Sequence, residues 1–318
     1  MECGRELALF EYIEAYSAPD NVSELGTQIR RAAFVDIVAQ VINANESGRN
    51  VYYVDVARDN PYVSSINALR ELGFLSNQEQ YFRPDDPITY AEAAKIVLSI
   101  AGYDVYANAV GGFPAGYLTA AARLEILPNC TDSNALTYAE ALIMIYNAFT
   151  MGTYDIKMIS GDVDLTYMTG SETVFSIYRN IYVAEGILTA TQIASSNGDT
   201  VGENQVIVDG KKYNIDENIY TDRWFLNHVE FFYEEQDENI NYIFYMADAE
   251  NRTGRKDLTI SFEDLHSFDP SSYTVSYYLA NERLQTHTFP RSSVVYYNGS
   301  EYTESLSAIF DEFLTEDI

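Results

Sequence analysis

The side chains best placed for chemistry lie in a repeated pentapeptide. The sequence Thr-Tyr-Ala-Glu-Ala occurs at 89–93 and again at 137–141, and an apolar stretch of helical length follows each copy. A Thr followed three residues later by Glu, just before an apolar helix, is typical of a capping box, in which the hydroxyl and the carboxylate each accept a hydrogen bond from a backbone N–H. The pattern therefore predicts that Thr89 and Thr137 each begin a helix.

A degenerate copy of the same pentapeptide occurs earlier in the chain. Residues 30–34, Arg-Arg-Ala-Ala-Phe, align with both later copies because a similar apolar pair follows at the same distance in all three. Arg30 and Ala33 replace the two capping side chains, which removes about 1 kcal/mol of stabilisation. Repetition on this scale is typical of stacked supersecondary units, so residues 29–150 are predicted to form three variations of one helical unit.

A second shared segment supports this repeat. Residues 68–75 align with 120–127, and each segment has the pattern of a second helix that runs into a turn. The N-terminal segment 1–28 is also predicted to be helical. The sequence leaves open whether this segment belongs to the repeat or to a missing neighbour.

Taken together, these blocks resemble the S-layer homology repeat. The clearest match runs through residues 53–56, 68–75 and 81–94, the last being Tyr-Phe-Arg-Pro-Asp-Asp-Pro-Ile-Thr-Tyr-Ala-Glu-Ala-Ala. The resemblance covers residues 29–149, with one good copy and two weaker ones. It implies a compact helical domain of three repeats in pseudo-threefold arrangement, which in this family binds secondary cell-wall polysaccharide of bacteria without a covalent bond.

The resemblance also implies where a polysaccharide would bind. In the family, an arginine after the capping Thr contacts an acidic ketal group of the polymer, and forked, charge-assisted hydrogen bonding favours Arg there. Only Arg31 occupies the matching position, whereas Tyr90 and Tyr138 replace arginine in the other copies. A tyrosine can stack on a sugar face and donate a hydrogen bond, or it can simply cover the start of its helix. Arg31, Tyr90 and Tyr138, with Asp55 of the first matching block, are the candidate ligand residues.

Length and charge restrict the classes of protein that remain. A chain of 318 residues favours two domains. The net charge of −29 divides into −10 for residues 1–150 (9 basic, 19 acidic) and −19 for the remainder (10 basic, 29 acidic). Neither half suits nucleic acid, because a phosphate-binding surface needs clustered cations. No segment approaches the roughly 20 apolar residues of a membrane span.

After Phe149 the pattern changes from helical to strand-like. Residues 151–171 are predicted to be a linker, and Glu172 to Asn180 a short helix. From Ile181 onward, alternating runs of Tyr, Val, Ile and Thr predict half-buried strands in a domain that spans 172–318. The fold class expected for the whole chain is therefore α+β, with a helical repeat domain followed by a mainly antiparallel β domain.

Explicit turn signals predict how these strands pair. Asp209-Gly210 separates two such runs, as in a two-residue hairpin whose central residues both need positive φ. Several short antiparallel pairs of this kind predict a small barrel or sandwich. Around 184–190 and 206–213 this half also resembles the β-rich segment that follows the repeats in some clostridial surface-layer proteins.

Cofactor and enzyme signals are weak. His228, His266 and His287 have no metal-site pattern around them, and no nucleophile or phosphate-loop motif is present. We expect no enzymatic activity and no cofactor, although oxygen ligands at Asp85-Asp86 or at 162–164 leave calcium open. Cys3 and Cys130 could form one disulfide, but two free thiols are the safer expectation.

Two functions from different classes follow. The favoured one is a bacterial cell-surface structural protein of surface-layer type, whose partners are neighbouring subunits. The alternative is an anchor that binds cell-wall polysaccharide through Arg31 and the repeat tyrosines, and a wall-remodelling enzyme fragment is a distant third. We expect an extracellular location on a Gram-positive-type cell. Since the N-terminus does not resemble a signal peptide, such a protein would be a processed form or a fragment.

Overall fold

The computed structural model describes most of the chain in two compact units. The first unit contains residues 1–183 and 232–239, and the second contains residues 184–231 and 240–318. The residues that the structure describes are 4–19, 21–44, 50, 52–128, 134–155, 168–196, 198–236, 241–249, 260–279, 281, 283–290, 296–297 and 300–301.

The first unit is mainly helical. Its elements in chain order are α1 (Gly4–Tyr12), α2 (Arg31–Val41), α3 (Val63–Glu71), α4 (Tyr90–Ile100), α5 (Asp104–Ala109), α6 (Ala115–Arg123), α7 (Tyr138–Thr150), β1 (Gly152–Asp155), β2 (Met168–Thr173) and α8 (Val174–Arg179). Its core is formed by the apolar faces of its helices, as shown by the full burial of Phe10, Phe34 and Phe149.

Both predicted capping boxes are confirmed. Thr89 Oγ1 accepts from the Glu92 N–H at 3.3 Å, and Glu92 Oε2 accepts from the Thr89 N–H at 3.1 Å. Thr137 and Glu140 repeat the arrangement at 3.3 and 2.7 Å. Arg30 makes no side-chain cap to α2, as its replacement of Thr predicts. The helix α2 relies on packing instead, since eight of its eleven residues are buried.

Three shorter helices end in the same turn, and this assigns the N-terminal helix to the repeat. After α1, α3 and α6 a residue adopts positive φ, with values of 55° at Glu14, 86° at Gly73 and 57° at Glu125. The next residue in each case donates its N–H to the carbonyl five positions earlier, at 2.9, 2.9 and 3.0 Å. In packing, α3 lies against α2, α6 against α4 and α1 against α7. The helix α1 is therefore the third copy of this helix, a point that the sequence left open.

A ring of backbone hydrogen bonds joins the three repeats. The Ile29 N–H donates to Leu136 O at 3.0 Å, the Leu136 N–H to Ile88 O at 3.0 Å, and the Ile88 N–H to Ile29 O at 3.1 Å. These three residues are fully buried and each lies two residues before a long helix begins. We call them the backbone ring. Its cyclic order agrees with the pseudo-threefold arrangement that the family resemblance implies.

Strands dominate the remainder of the chain, in agreement with the predicted α+β class. They are β3 (Ile181–Ala190), β4 (Gln205–Val208), β5 (Lys211–Ile215), β6 (His228–Glu234), β7 (Asn241–Asp248), β8 (Leu265–Asp269), β9 (Thr274–Tyr278), β10 (Leu284–Thr288), β11 (Tyr296–Tyr297) and β12 (Ser300–Glu301). Strands β3 to β7 close into a barrel in the order β3-β4-β5-β7-β6, with β5 and β7 parallel. The strands β8, β9 and β10 form a separate antiparallel sheet.

The predicted hairpin at Asp209-Gly210 joins β4 to β5. The φ values are 46° at Asp209 and 76° at Gly210, as a turn with two left-handed residues requires. The Asp209 carboxylate also accepts from the Ile187 N–H at 3.1 Å, which ties the turn to β3. A Cβ at Gly186 would lie 2.5 Å from this carboxylate, so a larger residue there would force the Asp209 side chain to move.

The segment predicted as a linker carries more structure than its pattern indicates. Strands β1 and β2 lie at its two ends and pair antiparallel, and the predicted short helix is α8. Tyr154 anchors β1, because its N–H donates to Ala101 O at 3.0 Å and its ring packs 5.2 Å from that of Tyr103. These contacts join distant parts of the chain, so residue pattern alone does not show them. Across the residues described, no helix is long and apolar enough to span a membrane.

We expect Thr137→Ala to lower the free energy of unfolding by about 1 kcal/mol. The substitution removes the acceptor for the Glu140 N–H and a donor, 2.9 Å away, to the fully buried Glu140 carboxylate. Urea unfolding of the two proteins measures the difference. Thr137→Ser is the matched control, because it keeps the hydroxyl. Equal loss in both variants would contradict the capping role.

Candidate functional site

The three candidate positions Arg31, Tyr90 and Tyr138 occupy equivalent places around the backbone ring. Each is the first residue of its helix, α2, α4 or α7. Each also donates its backbone N–H to the neighbouring repeat, at 2.9, 3.3 and 3.0 Å respectively. The alignment that paired these residues in the sequence thus corresponds to a real geometric equivalence. Their side chains, however, lie in different surroundings.

The two tyrosines offer little surface to a ligand. Tyr90 is only 8% exposed. Tyr138 is half-buried, and its ring packs 5.8 Å from that of Tyr16. Burial raises the pKa of Tyr138, and the neighbouring Tyr62 adds to the effect. These surroundings favour the interpretation that both tyrosines cover the starts of their helices.

Arg31 is held by an acidic partner and an aromatic ring. Its Nη1 atom lies 2.8 Å from Glu92 Oε1, and its guanidinium lies 5.2 Å from the centre of the Phe82 ring. The side chain is 13% exposed. Arg31 Nε is buried and makes no hydrogen bond within the described part of the chain. Nη1 also makes no hydrogen bond there, so its contact with Glu92 is an ion pair, and the N–H of Nε is left without an acceptor among the described residues.

Asp55 organises the loop that carries Phe82 and Arg83. Its two carboxylate oxygens accept from the backbone N–H groups of Phe82 and Arg83, at 2.8 and 2.7 Å. Arg83 has a φ of 62°, so the carboxylate stabilises a left-handed residue in this loop. Asp55 therefore positions the ring of Phe82 and the side chain of Arg83. Asp55 thus has a structural role in this site, because it holds the backbone of the loop.

Sequence reasoning missed two further arginines at this place. Arg83 forms an ion pair with Glu92, which Arg31 also contacts. Arg70 lies 4.3 Å from the ring centre of Tyr52 and 5.6 Å from that of Tyr53. The Tyr53 and Phe82 rings pack at 5.4 Å, so they link the arginines. We call Arg31, Arg70 and Arg83 the arginine cluster.

Two members of this cluster, Arg31 and Arg70, act electrostatically on the same tyrosine. Burial raises the pKa of Tyr53, and the positive charges of Arg70 and Arg31 partly offset that effect. Both arginines thus act on one hydroxyl. The signal was present in the sequence, since Arg70 and Arg83 stand in the blocks that match the repeat, but only the folded chain shows that they share a site with Arg31.

Carboxylates balance much of this positive charge. Besides Glu92, Asp86 lies 3.9 Å from Arg83, and Asp85 forms an exposed ion pair of 3.0 Å with the adjacent Arg30. A guanidinium with a spare donor beside an aromatic pair can bind an anionic or hydroxyl-rich group by forked hydrogen bonds and stacking. An incoming anion must first compete with Glu92.

The described residues contain no group of three or more His, Cys, Asp or Glu side chains arranged to hold a metal ion. Of the two calcium candidates, Asp85-Asp86 is engaged in the ion pairs above. The other, at 162–164, lies outside the described residues. Cys3 and Cys130 also lie outside them, so the expectation of two free thiols stays a prediction.

Comparison with known proteins identifies the middle repeat. Residues 53–94 match the family model described as the S-layer homology domain. This match spans Asp55, Arg70, Phe82, Arg83 and Glu92, of which Phe82 and Glu92 contact Arg31. The curated proteins include no match to the chain. The resemblance to clostridial β domains stays a prediction.

We expect Glu92→Gln to reduce the acid sensitivity of the protein. Burial alone would raise the pKa of Glu92, but the Thr89 N–H, Arg31 and Arg83 outweigh it and hold the pKa below its ordinary value of 4.5. A depressed folded-state pKa stabilises the protein above the unfolded-state value, and this contribution is lost as pH falls through the folded-state pKa. The variant should therefore be less stable at about pH 7, with the difference shrinking towards about pH 3.

Urea unfolding of both proteins at the two pH values provides the measurement. Glu125→Gln removes an exposed carboxylate of the same type and serves as the control. A difference between Glu92→Gln and the parent that does not change with pH would contradict the ion-pair assignment.

Proposed function

We propose that this protein, which contains an S-layer homology domain, is a structural component of a bacterial cell surface. The domain supports association with the cell surface or wall. Within that class, we propose a subunit of surface-layer type, whose repeats serve attachment or assembly at the envelope. The location would be extracellular, on a Gram-positive-type cell.

One observation carries this proposal. The side chains at the three equivalent repeat positions already make contacts within the protein itself. Arg31 is paired with Glu92 and packed on Phe82, while Tyr90 is buried and Tyr138 packs on Tyr16. A domain that uses these side chains for its own packing is better suited to architecture than to ligand exchange. The net charge of −29 also works against a polyanion, because an anionic ligand needs local cations to overcome the repulsion.

A polysaccharide anchor is the second candidate, and the arginine cluster favours it. Three of the nine basic residues in the first 150 lie in this cluster, beside the Tyr53 and Phe82 rings. The buried Nε of Arg31 would donate to an acidic sugar, with Asp55 holding the loop in place. Arg31, Asp55, Tyr90 and Tyr138 remain proposed ligand residues on this account.

The S-layer homology domain is a non-catalytic module, and we extend this to the whole chain by proposing that it is not an enzyme. No arrangement of side chains in the described residues favours the third candidate, a fragment of a wall-remodelling enzyme. The arginine cluster contains no nucleophile paired with a base. The carboxylates beside it, those of Asp55, Asp86 and Glu92, are engaged with arginines or with backbone N–H groups.

Self-assembly tests the structural proposal. Sedimentation velocity of the purified chain across a concentration series, with and without calcium, should show larger species growing as concentration rises. A monomer at every concentration in both buffers would contradict the proposal.

Binding to walls separates the anchor from the structural subunit. On the anchor account, the chain pellets with purified, protein-free cell walls, and Arg31→Ala abolishes pelleting. Arg58→Ala removes the same charge from an exposed position of the same repeat and should have no effect. Failure of the parent chain to pellet would exclude the anchor. Circular dichroism of each variant confirms that its fold is retained.

A further inference from the structure

A surface cleft of about 520 Å³ lies in the first unit, away from the arginine cluster. Small-molecule sites typically have volumes of about 300–1,000 Å³, so it is large enough for one or two sugar rings. Its walls come from the ends of α1 and α2, from the segment around α8 and from the end of β6, which supplies Glu234. The residues that give it chemical character are Tyr12, Glu14, Asn43, Tyr178, Arg179 and Glu234.

Hydrogen bonds between the walls hold the cleft in shape. The Tyr12 hydroxyl donates to Glu234 Oε2 at 2.9 Å, and Asn43 Nδ2 donates to Tyr178 O at 3.2 Å. Arg179 Nε donates to Val41 O at 2.9 Å, and its Nη2 donates to Gln40 O. These bonds connect segments far apart in the chain. The cleft is therefore built before any ligand arrives, which lowers the entropic cost of binding.

The charge of the cleft is negative. The carboxylates of Glu14 and Glu234 line it, and α1 and α2 both end beside it. A helix C-terminus carries a negative partial charge that favours cations. Arg179 is the single cation among the lining residues. It donates to the carbonyls that end α2, and it also interacts with the charge of Glu14, which partly offsets the lowering of the Arg179 pKa by burial. Two carboxylates against one guanidinium still leave the lining negative. An anionic ligand is therefore disfavoured, in contrast to the arginine cluster.

The aromatic residues of the cleft further restrict the chemical class of ligand that would fit. Tyr12 and Tyr178 are 38% and 37% exposed, so each presents part of a ring to solvent. Exposed tyrosines beside amide and carboxylate groups suit a sugar, whose apolar face stacks and whose hydroxyls bond at the edge. A metal ion is a poorer fit, since no group of three metal-ligating side chains occurs among the described residues.

We propose that this cleft binds an amino sugar that carries a free, protonated amine. The ammonium group pairs with Glu14 and Glu234, and the ring lies against Tyr12 and Tyr178. This site is separate from the arginine cluster, and it does not rest on the proposed function.

Binding of D-glucosamine to the full chain tests the proposal. Saturation-transfer NMR and calorimetry at about pH 6 keep the amine protonated. We expect a dissociation constant on the order of 1 mM, and D-glucose and N-acetyl-D-glucosamine to bind about tenfold more weakly because neither carries the charge. Equal binding of the three sugars, or no binding of glucosamine, would overturn the proposal.

Variants locate the binding to this cleft. Glu14→Gln and Glu234→Gln should each weaken glucosamine binding about tenfold. Glu125→Gln is the matched control, because Glu125 occupies the equivalent left-handed turn after α6 and does not line the cleft. Tyr178→Ala should weaken glucose and glucosamine together. Unchanged affinity in both carboxylate variants, with melting temperatures like that of the parent, would place the sugar elsewhere.

Discussion

The backbone ring is the constraint on which the helical domain depends. Three carbonyls and three N–H groups, contributed by Ile29, Ile88 and Leu136, are satisfied only when all three repeats are assembled. Because these residues are fully buried, a missing repeat would leave polar backbone groups without partners in an apolar interior, which is costly. The ring therefore makes the three repeats one cooperative structure. It also fixes the starts of α2, α4 and α7 around a common centre.

That geometry explains how one scaffold carries unlike side chains at equivalent places. The ring needs only main-chain atoms, so the first side chain of each long helix is free to vary. Arg31 contacts the carboxylate of Glu92 and the ring of Phe82, whereas Tyr90 is buried in the core. Negative charge lies elsewhere, at the cleft beside the C-terminal ends of α1 and α2. The domain thus separates a cluster of arginines, much of whose charge is balanced by carboxylates, from a cleft that is negative.

Local sequence signals predicted the features that depend on neighbours in the chain. The capping boxes at Thr89 and Thr137 and the hairpin at Asp209-Gly210 are of this kind. The role of α1 was not predictable, because its turn at Glu14 lacks the glycine seen at Gly73 and its partner α7 lies over a hundred residues away. The arginine cluster was missed for the same reason. Arg70 and Arg83 meet Arg31 only through the packing of aromatic rings between segments.

Amide hydrogen exchange at the backbone ring shows whether the three repeats open together. If the three hydrogen bonds close the domain cooperatively, the amides of Ile29, Ile88 and Leu136 should exchange at the same slow rate, with one opening free energy equal to that for unfolding of the whole helical domain. Their opening energies should fall together as urea is added. Exchange of any one of these amides through a low-energy local opening, while the other two remain protected, would contradict the claim that the ring holds the repeats together as one unit.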